Sequence, residues 1–313
     1  MIVNCVKHQI LYYFLLAIFY SLSVLPMFIL YALGDAIRWL VFDVIGYRKD
    51  VVLRNLANAF PEKSDAERKT IAKQFFTGFI DTWMETIKFL SISQKGFERM
   101  IQYDYSVLHK HAAAGNSVQL MAGHFMNWEL TNLTLPVHQP LVWVGIYMRL
   151  SSKAMERLFR KIKGRFGAVL VPADEVKTDI EKYLTKPYLL GLGADQSPSK
   201  PAQSFWMYFL QQPTAFAPGP GRNACKRQLP VVFLWIERKQ RGRYVFHVEE
   251  MFESAAGLTP ETLTVAYVKR LEQVICMQPA NYLWSHKRWK HAWKPEYAPL
   301  WIDKEPYPPA DAC

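Results

Sequence analysis

His124 and Glu129 are the residues of this chain whose types and spacing are best suited to proton transfer. They stand five positions apart in Gly123-His124-Phe125-Met126-Asn127-Trp128-Glu129, directly after the apolar run Val118–Ala122. An imidazole acts as a general base near neutral pH when a carboxylate accepts the proton on one ring nitrogen and leaves the other bare. Two members of a catalytic triad are thereby available, with the nucleophile supplied by the substrate's own hydroxyl or amine. A structural histidine satisfied by a neighbouring carboxylate fits the same spacing, so the pattern by itself leaves both readings open.

The elements that must position this pair follow from apolar periodicity. Val118–Ala122 reads as a buried strand, and Gly123 lets the backbone turn at its end. That places His124 in a strand-to-helix loop, where open α/β sheets usually put their chemistry, and Glu129 in the first turn of the next helix. Further runs of strand length are 141–146, 168–171 and 188–193, with a helical face at Met155, Leu158, Phe159, Ile162 and Phe166 between the second and third. This alternation predicts an α/β fold with a mostly parallel central sheet flanked by helices. Residues 230–237 and 243–249 predict a hairpin turning at 239–242. Residues 50–60 predict a helix. Ser64-Asp-Ala-Glu67 is a capping box opening another, along which Ile71, Phe75, Phe79, Trp83 and Ile87 recur every four residues. That aromatic stripe suits a core, and equally a groove for an acyl chain. Thr259-Pro260 predicts the start of a helix running to about Pro279, and the Pro-rich stretch 295–313 predicts an irregular tail over the surface.

The N-terminus is a different material. Between Lys7 and Asp35 there is no Asp, Glu, Lys or Arg, a length sufficient to cross a bilayer, although Pro26 interrupts it. Spanning, interfacial and buried-core readings all remain open. Arg38, Arg48, Lys49 and Arg54 follow the segment, which predicts the main domain on the cytoplasmic side. The expected division is residues 1–48 as hydrophobic anchor and 49–313 as catalytic domain. The 38 basic and 27 acidic side chains give a net charge of +11, which favours an anionic partner. Ten Trp, 16 Tyr and 19 Phe suit work at a lipid interface. Cys5, Cys225, Cys276 and Cys313 are widely separated, with no pattern of a zinc site or disulfide framework, which fits a reducing compartment. His109 and His111 are expected to be exposed and idle. His138 and His247 show no partner in the sequence.

The G-H-F-M-N-W-E segment resembles the H-x4-D/E motif of glycerolipid-type acyltransferases. In its extended G-x-H-x-x-N-W-E form it is similar to the bacterial lipid A late acyltransferases, the lauroyl/myristoyl transferase family. Further blocks occur in order: Arg54-Asn55-Leu56 with Phe60-Pro61-Glu62, Tyr147-Met148-Arg149, Arg165-Phe166-Gly167, Asp195-Gln196, and Trp284-Ser285-His286-Lys287-Arg288-Trp289-Lys290. The chain departs from the pattern at Ser197–Pro201, Trp206–Phe209 and Pro218–Gly221, so the resemblance carries neither chain length nor acceptor identity.

The resemblance implies transfer of a fatty acyl group from a thioester on acyl carrier protein to a hydroxyl of an anionic lipid, a lipid A precursor, at the bacterial inner membrane. It implies no cofactor, no metal and no nucleic acid. His124 would take the acceptor's proton, with Glu129 orienting it. Asn127, Arg149, Arg165, Asp195, Gln196, His286 and Arg288 would bind substrate, with Arg149 or Arg165 meeting an oxyanion or a phosphate. By position Asp195 suits an arginine, a sugar hydroxyl or a turn cap. Competing readings are the same chemistry on an aminoacyl lipid, lysophospholipid or glycolipid, and a noncatalytic lipid- or nucleic-acid-binding protein.

Overall fold

A computed structural model describes residues 2–306. In chain order its helices are α1 (Ile2–Val24), α2 (Met27–Arg38), α3 (Lys49–Ala59), α4 (Asp65–Lys88), α5 (Gln94–Glu98), α6 (Ser106–Ala113), α7 (Thr131–His138), α8 (Lys153–Lys163), α9 (Val176–Asp179), α10 (Gly219–Arg227) and α11 (Pro260–Met277). The strands are β1 (Ile101–Tyr103), β2 (Val118–Ala122), β3 (Val142–Tyr147), β4 (Val169–Pro172), β5 (Tyr188–Gly193), β6 (Phe205–Phe209), β7 (Gln212–Phe216), β8 (Val231–Gln240) and β9 (Arg243–Phe252).

Seven strands form one sheet in the order β1-β9-β8-β2-β5-β3-β4, and β6–β7 is a separate antiparallel hairpin. All neighbours in the large sheet are parallel except β8 and β9, which make the expected hairpin. The central strands read as nearly continuous apolar runs because helices cover them: Val118, Leu120, Met121, Leu189 and Val231–Ile236 are buried. The expected strands and helices therefore stand, with ends moved by a few residues. The capping box at Ser64 is complete, and Thr259 caps α11 with Pro260 at its first position. The aromatic stripe of α4 divides: Phe75 and Phe76 are buried in the core, whereas Trp83 and Ile87 face a cavity. The tail begins as expected, with a 3-10 turn at Pro295–Leu300 and Trp301 laid against Trp206; its residues 307–313 lie outside the described residues. So does Cys313.

Pro26 breaks the N-terminal apolar stretch into α1 and α2, two helices bent by 116°, and among the described residues no single helix is long and apolar enough to cross a membrane. The break is held to the main body. The Lys88 ammonium donates to the carbonyls of Ser23 and Leu25 (2.8 and 2.9 Å), satisfying the end of α1 where no further turn can. Tyr31 donates to Glu85 at 2.8 Å, and Arg241 bridges Asp35 of α2 to buried Asp81 of α4. Each helix buries one side (Tyr12, Leu30) and leaves the other uncovered, with Tyr13, Phe14 and Phe28 more than half exposed, and the stretch after α2 adds exposed Trp39 and Ile45.

Three expectations about histidines are corrected. His111 is buried, 2.7 Å from Glu250; His138 meets the Tyr103 hydroxyl at 2.9 Å; His247 stacks on Trp235 and meets Glu237 at 3.1 Å. Each partner lies far along the chain or across a strand pair, out of reach of sequence spacing.

The early and late sequence blocks meet in space. Asn55 of α3 is buried and donates from one amide nitrogen to the carbonyls of Trp284 and His286, both at 2.8 Å. Replacing Asn55 with Ala leaves two carbonyls without that donor, at a cost of about 1–3 kcal/mol. A lowered midpoint in urea unfolding of the detergent-solubilised protein is the expected result.

Candidate active site

The site sits where β2 and β5 end side by side. They pair in parallel with Ala122 opposite Gly193. Two residues beyond each strand stand His124 and Asp195, so the register alone places them as neighbours. Asp195 is 1% exposed and grips His124 twice: its Oδ2 accepts from the His124 backbone N–H at 2.8 Å, and its Oδ1 lies 2.7 Å from Nδ1. An ionised carboxylate can only accept, so Nδ1 carries the proton and Nε2 is left as the basic nitrogen. Gln196 reaches Nε2 with its amide at 3.4 Å. A glycine is required at 193, since a Cβ there would stand 2.9 Å from His124 Cε1.

Burial opposes the charged imidazole, but the charge and hydrogen bond of Asp195, helped by the field of Glu129, outweigh it and lift the His124 pKa above its ordinary 6.5. Asp195 shows the reciprocal balance. Burial would raise it, and the His124 charge and hydrogen bonds hold it below the usual carboxylate range.

The expected hydrogen bond between His124 and Glu129 is not made; Asp195 takes that place. After His124 the chain runs into a 3-10 turn, Trp128–Leu130, before α7, and the Glu129 side chain turns to other partners. Its Oε1 pairs with Lys163 Nζ at 2.9 Å and accepts from the Trp128 indole at 3.2 Å, while Asn132 donates to Oε2 at 3.3 Å. The Trp128 and His124 rings meet in a T-shaped arrangement, 5.8 Å between centroids. Glu129 thus acts on the imidazole through its charge and not through contact.

The remaining expected site residues divide. Gln196 lies on the imidazole, as above. His286 is in the same neighbourhood but serves the loop: its Nε2 accepts from the Ser197 backbone N–H at 2.9 Å, and burial, with the Arg288 charge, pushes its pKa down to about 4, so it stays neutral. Arg288 is 3% exposed, packed over Phe216, and donates to the Ala215 carbonyl at 2.9 Å. It is an internal cation beneath the site, not a surface for substrate. Asn127 is fully buried; its amide donates to Glu85 at 2.8 Å and its oxygen accepts from the Glu129 N–H at 3.2 Å, so it fixes the loop. Arg165 donates to the Phe89 carbonyl and lies over Phe166, a packing role. Arg149 is spent on Asp174, Glu175 and Glu156 at the protein surface. His124 is among the partners of neither arginine.

A cavity of about 520 Å³ opens at Glu129, five residues along the loop from His124, which is not among its lining; its walls include Phe19 of α1, Trp83 and Ile87 of α4, Met155 and Phe159 of α8, Leu170, and the Glu129–Lys163 pair. Its walls are mainly apolar and its size is that of a small-molecule site. A more open groove of about 820 Å³ continues from it over α8, sharing Leu150, Ser151 and Arg160 and adding Lys153, Arg157 and Lys161. Sequence reasoning missed Lys163. It falls in a run of basic residues along α8 that reads as a solvated face, and only the fold turns it toward Glu129.

The model of the family described as bacterial lipid A biosynthesis acyltransferase matches residues 5–291. The chain is 23% identical to the lipid A biosynthesis palmitoleoyltransferase of Escherichia coli (strain K12) over 272 residues, 85% of this chain and 86% of that protein. The lipid A biosynthesis acyltransferase of Shigella flexneri matches equally. The lipid A biosynthesis lauroyltransferase of Escherichia coli (strain K12) is 23% identical over 277 residues, 88% and 89% of the two chains.

The His124–Asp195 pair predicts a pH signature in stability. The raised imidazole pKa contributes stability that is fully present below 6.5 and is lost as pH rises through the folded value. The depressed carboxylate contributes stability that is lost as pH falls through its own folded value. Wild type should therefore exceed Asp195→Asn most clearly between the carboxylate range and pH 6.5, with the gap narrowing above it, as read from thermal midpoints across pH.

Proposed function

The chain belongs to the bacterial lipid A biosynthesis acyltransferase family and is an acyltransferase, and from that premise we propose that it moves a fatty acyl group from a thioester to a hydroxyl of a lipid A precursor with His124 as general base. The observation that carries this reading is the Nδ1–Asp195 bond, which leaves Nε2 unprotonated at the rim of a sheet, on a loop whose Glu129 lines an apolar cavity. As the acceptor oxygen attacks the thioester carbonyl, a C–O bond forms, the carbonyl π pair moves onto oxygen, and the hydroxyl proton passes to Nε2. Collapse of the tetrahedral adduct re-forms the carbonyl and breaks the C–S bond. The departing thiolate takes the proton back from the imidazolium, which restores the neutral base.

Asp195 stabilises the imidazolium between those two transfers and keeps the ring from turning. Gln196 holds the position opposite Nε2 that the acceptor hydroxyl takes over. The acyl chain occupies the cavity formed by Phe19, Trp83, Met155 and Phe159. Acyl carrier protein as donor is supported by the net charge of +11 and by the basic groove over α8, which suit an acidic partner. The uncovered apolar sides of α1 and α2 rest in the lipid interface of the inner membrane on its cytoplasmic side, with residues 1–48 as the membrane-facing part and 49–313 as the catalytic part. No cofactor or metal is required for this sequence of steps.

In detergent micelles, His124→Ala should abolish acyl transfer, and Asp195→Asn should lower kcat by about 10²–10⁴-fold with KM little changed. Steady-state transfer from an acyl thioester measures both, and a wild-type rate in His124→Ala would refute the base assignment. Mass spectrometry of total lipids from a strain lacking the protein addresses the acceptor. One acyl chain missing from lipid A is expected; an intact lipid A with an altered aminolipid would point to a different acceptor for the same chemistry.

A further inference from the structure

The Glu129–Lys163 ion pair is a feature of the cavity that acyl-chain binding does not explain, and unlike Glu156 and Arg160, which line the same cavity, it includes a residue of the His124 loop. A hydrocarbon chain gains nothing from a charged pair in its wall, and placing ions beside an apolar space carries a desolvation cost. Glu129 is 4% exposed and the Lys163 side chain 21%, so the pair is withdrawn from bulk water. The carboxylate is fully engaged, by Lys163, Trp128 and Asn132. The ammonium is not: it has three donors, and Glu129 is the partner the structure gives it. Both residues line the cavity. Glu129 is fixed to the His124 loop through the Asn127 cap, so the ammonium is held to the same rigid segment as the base.

Acyl transfer needs a positive group where the carbonyl oxygen gains charge, and a preorganised donor in a water-poor site is the usual provision. The arginines expected in this role are elsewhere, Arg149 among surface carboxylates and Arg165 on a backbone carbonyl. We propose that Lys163, anchored by Glu129 at the wall of the acyl cavity, is the cation that receives the thioester's developing oxyanion. The carboxylate of the H-x4-E motif then serves to position this lysine rather than to orient the histidine. When the carbonyl π pair moves onto oxygen, the Lys163 ammonium donates a hydrogen bond to it without giving up its proton, and it releases the oxygen when the C–S bond breaks.

The fields of the two side chains on His124 have opposite signs, Glu129 favouring the protonated imidazole and Lys163 opposing it. That provides a readout independent of rate. The inference rests on His124 being the base, and its test is arranged so that the two can fail separately. Purified wild type, Lys163→Met, Lys163→Arg, Glu129→Gln and His124→Ala are compared in detergent with an acyl thioester over a range of pH.

Lys163→Met should lower kcat by about 10²–10³-fold, the size of losing one oxyanion donor, with KM changed by less than about threefold. The acid limb of its kcat/KM profile should move to higher pH. Lys163→Arg should recover at least a tenth of the wild-type kcat, and Glu129→Gln should move the acid limb to lower pH while reducing kcat. If Lys163→Met does not fold, Lys163→Arg and Glu129→Gln decide by the same criteria. A Lys163→Met enzyme within threefold of wild type in kcat would overturn the proposal, as would a loss carried entirely by KM with an unmoved acid limb. An active His124→Ala would instead sink the base assignment beneath it.

Discussion

One buried carboxylate holds the imidazole on which the site depends. Asp195 accepts from both the backbone N–H and the ring Nδ1–H of His124, so the same side chain fixes where the residue sits and which way its ring faces. Two bonds to one rigid group leave the imidazole little freedom, and the tautomer follows from the acceptor-only chemistry of a carboxylate. The cost of burying that charge is offset by the partner it keeps.

Much of the surrounding architecture serves this contact. Parallel pairing of β2 with β5 brings residues 124 and 195 together although 71 positions separate them, and glycine at 193 leaves room for the ring. The loop that carries Gln196 is tied down by His286, and the segment that carries His286 is tied to Asn55 near the N-terminus. On the other side, Tyr31 of α2, Tyr244 of β9 and Asn127 all donate to buried Glu85, whose carboxyl burial drives above its ordinary pKa against the pull of those three bonds. The hydrophobic N-terminal helices are therefore mechanically continuous with the His124 loop, and α1 contributes Phe19 to the cavity wall. The apolar N-terminal helices and the cavity thus belong to one packed unit.

The sequence displayed the fold well because the relevant signals are local. Apolar runs of strand length, the Ser64 and Thr259 caps and the four-residue stripe of α4 each depend on near neighbours, and the family blocks fell in order along the chain. His124 was legible for the same reason. Its partner was not. Sequence spacing favoured Glu129, five residues away, over Asp195, and the choice turned on strand register, which no local pattern encodes. A 3-10 turn stands in place of an immediate helix, and Glu129 pairs with Lys163 instead of the imidazole. The arginines show the same limit: Arg149 and Arg165 sit in family-like blocks, and what each touches in the fold, Asp174 and the Phe89 carbonyl, depends on contacts between distant segments. Lys163 was hidden in plain view among the cations of α8, where one position of helical phase separates a solvated side chain from one that lines a cavity.

The central claim, that Asp195 and not Glu129 sets the tautomer of the His124 imidazole, is most directly tested by ¹⁵N NMR of histidine-labelled protein in detergent above the His124 pKa. A protonated, hydrogen-bonded Nδ1 and a bare Nε2 are expected for His124, a pattern that persists in Glu129→Gln and is lost in Asp195→Asn. A proton on Nε2 in the wild type, or a pattern that survives Asp195→Asn and vanishes in Glu129→Gln, would contradict the account.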